Sequence, residues 1–424
     1  MIELPRKFAE KMQKKLGDRY AAFAASYLKP AEKAVRVNTL KICKAEFEKI
    51  APFNLEAGVP WEENGFYVSG EGLGKTVLHA AGLYYVQEPS AMCAAPALEV
   101  KSGERVLDLC SAPGGKGTRL AQTMQGDGVL FLNEINFKRC EVLRGNVERL
   151  GVKNAVITCA SPENLAEGFA EYFDKILVDA PCSGEGMFKK EAAAIGEWSM
   201  ENVLACATRQ EKILDSADKM LAGGGRLVYS TCTFADEEDE SQIENFLHSH
   251  KNYKLLGMKK LLPHEIRGEG HFYAVLQKTD GARANNKLFV PKADKAALSV
   301  FNEWAKGVLK TVPANIHRIG DALYSLPAGM PETKVQILCA GVELGNIKNG
   351  RFEPAHALAM SLKQGEFVGV DVDESTALKY LRGLTFECAS ANGWRVVTHK
   401  GYPLGWCKAV NGTAKNHLPK GLRI

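Results

Sequence analysis

Apolar side chains recur at three- and four-residue spacings from Phe8 through Met12, Leu16, Tyr20 and Phe23 to Tyr27. That spacing predicts one or two short helices over residues 6–27 with a Lys/Arg-rich outer face. The texture then changes. Between Val35 and Val68, short apolar runs and a turn near Glu63-Asn64-Gly65 suggest the strands and loops of a small α+β unit. From about residue 78 to 280, apolar runs at 104–110, 128–133, 155–158, 175–179 and 226–230 alternate with helical patterns over 116–125, 137–150, 163–172, 200–222 and 236–250. Strand–helix alternation of this kind predicts a mostly parallel sheet wrapped by helices on both faces, with ligands beyond the carboxyl ends of the strands. The polar, turn-rich stretch 279–286 is the best linker in the chain and marks the start of a further domain.

Length and composition narrow the classes. The 424 residues allow two to four domains at roughly 150 residues each, and 46% hydrophobic with 25% charged residues is ordinary globular usage. The formal net charge of +4 is too small to point to a polyanionic partner, so any basic surface must be local. Eleven cysteines form no C-x-x-C pair, against a zinc ribbon or a secreted disulfide framework. The N-terminus is charged throughout and no run of about 18 apolar residues occurs, so we expect a reduced, cytosolic, soluble protein with neither metal nor membrane anchor. The stretch 388–424 carries Arg395, Lys400, Lys408, Lys415, Lys420 and Arg423 without a single acidic residue, interleaved with Trp394, Tyr402 and Trp406. Such a mixture suits phosphates and stacked bases, or equally a solvated face over a β core.

Candidate chemistry sits at the strand ends. Val106-Leu-Asp-Leu-Cys110 runs into Ser111-Ala112-Pro113-Gly114-Gly115-Lys116 and a helix, where small residues let the backbone approach a ligand and the helix start offers free N–H groups. The spacing is not that of a Walker A loop, and Leu120 replaces the third glycine of G-x-G-x-x-G. Glu134, at the end of the second strand, could accept hydrogen bonds from both ribose hydroxyls of an adenosine-containing ligand, or cap the next helix. The fourth strand delivers Asp179-Ala-Pro-Cys182-Ser-Gly and the fifth Ser230-Thr-Cys232-Thr to the same edge. A single cysteine is more often an inert buried thiol, but two at matched strand ends favour function.

These motifs resemble the signatures of the S-adenosylmethionine-dependent RNA cytosine-5 methyltransferases, the nucleolar and Sun-type family. Arg36-Val-Asn-Thr-Leu40, Tyr85-Val-Gln87-Glu88-Pro89-Ser90 and Arg267-Gly-Glu-Gly-His271-Phe resemble further stretches of it. Leu404-Gly-Trp406-Cys-Lys408 and Lys415-Asn-His-Leu-Pro-Lys420 are similar to the PUA-like tail of its bacterial 16S rRNA methyltransferase F branch. The resemblance spans nearly the whole chain. It implies a Rossmann-like class I methyltransferase α/β sheet over 76–280 and an α+β RNA-binding domain over 1–75. A C-terminal α+β domain over 287–365 and a PUA-like RNA-binding β domain over 366–424 follow. It assigns Cys232 as the attacking thiolate, Cys182 as the residue assisting proton removal or product release, and Asp179 to the cytosine edge. S-adenosylmethionine would lie against Cys110, Ser111, Ala112, Pro113, Gly114, Gly115, Lys116, Glu134, Arg139, Ser161 and Asp179. Many relatives carry an aspartate near the adenine, where this chain has the uncharged Ser161.

Carbon 5 of cytosine is a poor nucleophile, and a thiolate adding to carbon 6 converts the ring to an enamine-like species that can be methylated. A base then removes the carbon-5 proton and the thiol leaves. The resemblance thus implies methylation of small-subunit rRNA, with RNA or the small ribosomal subunit as partner. The same chemistry on tRNA, a non-catalytic RNA-binding assembly factor and a nicotinamide oxidoreductase stay open as alternatives.

Overall fold

The computed structural model describes residues 3–424. At its centre is an eight-stranded sheet in the order Tyr253–Leu261, His271–Lys278, Leu221–Thr231, Phe173–Asp179, Arg105–Asp108, Val129–Asn133, Ala155–Thr158 and Ile337–Ala340. The five strands read from the sequence run parallel; the first two and the last of this order are antiparallel additions. Side chains alternate between faces along each strand. Leu107 and Phe131 point to a core with Leu165, Ile213, Leu214, Ala217 and Phe246. Val106, Leu130 and Leu132 point to the opposite core with Leu120, Met124, Leu143 and Val147. Burial on both faces explains why these strands read as continuous apolar runs.

The expected helices form, with two shortened. The Met200–Met220 helix starts where the Ser199 side chain accepts the Asn202 N–H, and it buries Val203, Cys206, Ile213, Leu214, Ala217 and Met220 along one stripe. The helix expected over 163–172 closes at Pro162–Gly168, because Phe169, Tyr172 and Phe173 turn inward to stack edge-on around Phe131. The one expected over 236–250 begins only at Glu240. Its intended first turn is diverted: Asp239 is fully buried, accepts the Thr231 hydroxyl at 2.6 Å and pairs with Lys260 at 2.9 Å.

The modules interlock more than their sequence boundaries suggest. The N-terminal sheet, ordered Leu55–Val59, Glu62–Val68, Ala34–Val37, Tyr84–Gln87, extends past residue 75 because Ala34–Val37 is paired on both sides. The leading helices Arg6–Leu16 and Tyr20–Ser26 leave that sheet and pack Phe8, Met12, Leu16 and Phe23 on Phe188, Trp198, Phe234 and Leu262 of the central unit. Ile337–Ala340, from beyond the linker, covers the otherwise open edge at Ala155–Thr158. The linker itself is pinned: the Gly223 N–H donates to the Ala282 carbonyl at 2.8 Å and Arg283 pairs with Asp174 at 2.8 Å.

The C-terminal residues form a four-stranded sheet from Ile316–Ile319, Ala322–Ser325, Val342–Lys348 and Arg351–Pro354. A five-stranded sheet follows, ordered Gly369–Asp371, Gly393–His399, Tyr402–Val410, Thr413–Asn416 and Phe386–Glu387. The core of this last sheet is continuous with that of the N-terminal sheet, joining Ala377, Tyr380, Leu381 and Leu404 to Val35, Val37, Phe47 and Leu78. Among the described residues no helix is long and apolar enough to cross a membrane, and no group of three metal-ligating side chains occurs.

Because that core is shared, Leu381→Ala should cost about 2–5 kcal/mol in denaturant unfolding, the usual range for a buried leucine truncation. It should also speed amide exchange in Ala34–Val37 as well as in its own sheet, which separate cores would not do.

Candidate active site

The carboxyl end of Arg105–Asp108 opens into the turn 109–114, and Gly114, at φ +109°, starts the helix Gly115–Met124. Asp108 is fully buried; one carboxylate oxygen accepts the Ser111 hydroxyl at 2.9 Å and the other has no hydrogen-bond partner. Burial pushes it up to about 7, against the pull of Ser111. A Cβ on Gly117 would lie 2.5 Å from Leu132, 2.7 Å from Ser111 and 2.9 Å from Asp108, so this first turn can be held so close only by glycine. Sequence reasoning passed over Asp108, although an acid inside the run Val106-Leu107-Asp108-Leu109 signals a buried charge that needs partners.

The neighbouring residues form a braced wall. Glu134 is buried; it accepts the Asn136 N–H at 3.0 Å and pairs with Arg139 at 3.1 Å. Arg139 also donates to the Ala112 carbonyl at 2.8 Å, tying the Ser111-Ala112-Pro113 turn to the acid. Asn146 donates to the Pro113 carbonyl and the Ser111 N–H to the Asn133 carbonyl. Burial pushes the Cys110 thiol well up. Ser161 accepts the Asn164 N–H at 3.2 Å as the cap of Pro162–Gly168, with Glu163 in the first turn.

Across the sheet edge, Lys116 reaches from the first helical turn to Asp179, with Nζ 2.8 Å from Oδ2. Burial works against the Lys116 ammonium, but Asp179 outweighs it and the net shift is upward. Burial likewise opposes the Asp179 carboxylate, and Lys116 together with the Ser230 hydroxyl, 2.8 Å from Oδ1, brings it below the ordinary aspartate range. Both partners are therefore charged at neutral pH. His271 stands 3.7 Å from Oδ1 with neither ring nitrogen hydrogen-bonded. Burial, aided by Lys116, lowers it to about 3, so it faces the carboxylate as a neutral ring.

The two thiols meet beside this pair. Cys182 and Cys232 Sγ atoms are 3.3 Å apart. Contact with Cys232, then burial, pushes the Cys182 thiol well above its usual value. Their loops are zipped together: Ala180 N–H donates to the Ser230 carbonyl, Ser183 and Thr233 hydroxyls lie 2.9 Å apart, and Gly186 N–H donates to the Cys232 carbonyl at 2.8 Å. A shell of buried acids holds both loops from behind. Glu238 accepts the Ser183 N–H and the Gln210 amide; Glu185 accepts the Phe234 N–H and the Trp198 indole; Glu269 pairs with Lys189 at 2.8 Å. The arrangement offers a nucleophilic sulfur, a second sulfur, a fixed carboxylate and a fixed ammonium at one edge.

The C-terminal aromatics divide. Trp406 and Tyr402 are buried in the core and present no stacking face, contrary to the expectation for the tail. The strand Tyr402–Val410, bulged where Val397 pairs with Gly405 and Thr398 with Pro403, is packed between two cores, Tyr402 in that of the N-terminal sheet and Trp406 in that of Phe301, Phe352 and Leu358. Trp394 is half-buried, with Lys408 5.7 Å from its ring and His417 at 4.4 Å.

The chain matches four family descriptions in order. These are "N-terminal domain of 16S rRNA methyltransferase RsmF" over residues 4–89, "16S rRNA methyltransferase RsmB/F" over 95–277, "RsmF rRNA methyltransferase first C-terminal domain" over 303–362, and "Methyltransferase RsmF PUA domain" over 367–424. It is 32% identical to the ribosomal RNA small subunit methyltransferase F of Klebsiella pneumoniae (strain 342), over 94% of this chain and 92% of that one. It is 31% identical to the protein of the same name from Shewanella loihica (strain ATCC BAA-1088 / PV-4), over 100% and 96% respectively. Among solved structures, a methyltransferase homolog protein from Pyrococcus horikoshii superposes with a TM-score of 0.59 at 31% identity, over 65% of this chain and 96% of that one.

A Cβ on Gly186 would lie 2.9 Å from the Cys232 carbonyl oxygen and 3.0 Å from that of Gly270. Gly186→Ala should therefore push the two cysteine loops apart and lower turnover by about tenfold or more, the scale expected of roughly 1 Å misplacement of reacting groups. Ligand binding at the Gly114–Lys116 turn, followed by calorimetry, should be unchanged.

Proposed function

This chain belongs to the 16S rRNA methyltransferase RsmB/F family, and from that premise we propose that it methylates carbon 5 of cytosine in 16S rRNA. The donor would be S-adenosylmethionine, the intermediate a covalent Cys232–cytosine adduct, and the place of action the cytoplasm. The observation that carries this reading is the 3.3 Å contact of Cys182 with Cys232 beside the Lys116–Asp179 ion pair. A methyl-transfer enzyme acting on a more nucleophilic atom has no use for two apposed thiols.

The donor pocket fits the residues at hand. Gly117 lets the helix start close on Ser111 and Asp108, Asp108 offers an unpartnered carboxylate oxygen, and the braced Glu134 stands at the next strand end. Ser111, Ala112, Pro113, Gly114, Gly115 and Lys116 would line one side, with Cys110, Arg139 and Ser161 toward the Glu134 end. S-adenosylmethionine held there would supply an electrophilic methyl group. On the base side, Cys232 sulfur bonds to carbon 6, and the electrons of the 5,6 double bond move so that carbon 5 becomes nucleophilic. Asp179, ionised by Lys116, holds the nitrogen-3 edge and favours its protonation, which draws electrons from carbon 6 during attack. After methylation the Cys232 sulfur would depart with the proton of the Cys182 thiol, and the Cys182 thiolate so left would take the carbon-5 proton as the electrons of that bond restore the double bond. A Cys182 thiol held protonated is suited to returning a proton to the leaving sulfur 3.3 Å away.

The half-buried Trp394 and the exposed Lys408 and Lys415 support RNA contacts on the C-terminal sheet, and the target base would have to leave its stack to reach the thiols.

Transfer of labelled methyl to small-subunit particles, naked 16S rRNA and bulk tRNA tests the proposal. We expect 5-methylcytosine in the particles or their rRNA; label confined to tRNA would overturn the substrate, and none anywhere the reaction. Cys232→Ala should abolish transfer while RNA binding survives, and normal turnover in it would remove the nucleophile. Cys182→Ser should accumulate a heat-stable protein–RNA adduct on a denaturing gel; full release of methylated RNA would make Cys182 dispensable.

A further inference from the structure

Arg36 lies on the N-terminal strand Ala34–Val37, yet its side chain is spent on the central unit. It is fully buried, and Nη1 donates to the Gly115 carbonyl at 2.5 Å and to the Gln87 side-chain oxygen, Nη2 to the Thr118 hydroxyl at 2.8 Å. All three acceptors are neutral, and Nε has no partner. Burial lowers the guanidinium only to about 10, so it is charged at neutral pH. The acid that acts on it, Glu62, pairs with Arg119 at 2.5 Å, and Glu63 stands 3.7 Å from the same Arg119, so these acids meet Arg36 only at a distance. The other buried cation of this turn, Lys116, is neutralised by Asp179. No carboxylate therefore touches Arg36, whose positive charge lies behind residues 114–118 at the start of a ten-residue helix whose free N–H groups add to it. The fit is close: a Cβ on Gly115 would meet Tyr85 at 3.2 Å and Gln87 at 3.3 Å. An uncompensated buried charge is costly unless something supplies its counter-charge.

Resting on the reading of this turn as the methyl-donor site, we propose that Arg36 is a positioning residue that acts through the Gly115–Thr118 turn to favour the carboxylate of the donor. The N-terminal module then sets donor affinity, besides any grip on RNA. A donor carrying an amino-acid carboxylate is selected over the same molecule without one.

The full-length chain, Arg36→Lys and Arg36→Gln are titrated calorimetrically with S-adenosylmethionine and with its decarboxylated analogue. The unmodified chain should prefer the carboxylate-bearing compound. Arg36→Gln should shrink that preference by about five- to tenfold, the scale of about 1–1.4 kcal/mol for a charge near a helix terminus. Arg36→Lys, which keeps the charge, should retain most of it, with RNA affinity unchanged in both. Equal weakening of both compounds in Arg36→Gln would make Arg36 a support of loop shape and overturn the proposal, as would no change. Failure of the unmodified chain to bind either compound would overturn the donor reading itself, and Arg36's role with it.

Discussion

The parallel pairing of Phe173–Asp179 with Leu221–Thr231, in register from Lys175 opposite Arg226 to Asp179 opposite Ser230, governs the whole site. Neighbouring strands lie about 4.8 Å apart. Loops leaving both at the same level must therefore run side by side, and side chains two or three residues beyond the paired Ser230 and Asp179 come into contact. That is how Cys182 and Cys232, fifty residues apart, place their sulfurs 3.3 Å from each other. A slip of one residue would turn Asp179 to the opposite face from Ser230 and break the hydrogen bond between them.

Charge is handled in layers around that register. Lys116 and Asp179 neutralise each other where the chemistry is placed, while Glu185, Glu238 and the Glu269–Lys189 pair fix the loops that carry the thiols. Buried ion pairs contribute little net stability once desolvation is subtracted, but losing one partner is expensive. Their value here is geometric, since each acid accepts a backbone N–H or an ammonium that could otherwise let a loop drift. Arg36 differs in that its direct hydrogen-bond partners are all neutral, with Glu62 acting on it only at a distance.

Much was legible in the chain. The five parallel strands announced themselves as apolar runs because both faces are covered, and the strand-end positions of Asp179, Cys182 and Cys232 followed from the alternation of strands and helices. Less legible were elements whose form depends on distant partners. The helix over 236–250 loses its first turn because Asp239 turns to Thr231 and Lys260. The strand Ile337–Ala340 has no signal tying it to Ala155–Thr158 across so long a stretch of chain. Trp406 and Tyr402 looked like a stacking surface beside basic residues, and only the packing of their strand between two cores buries them both.

The sequence by itself determined the family, the central fold and the strand-end places of the candidate site residues, because local periodicity and short motifs carry that information within a few tens of residues. The tertiary structure alone decided which charges are balanced, which aromatics are buried and how the modules share a core. Those properties arise from desolvation and from contacts between segments far apart in the chain, such as Arg36 on Gly115 or Leu381 in the core of Val35. No local pattern encodes the water that such contacts exclude.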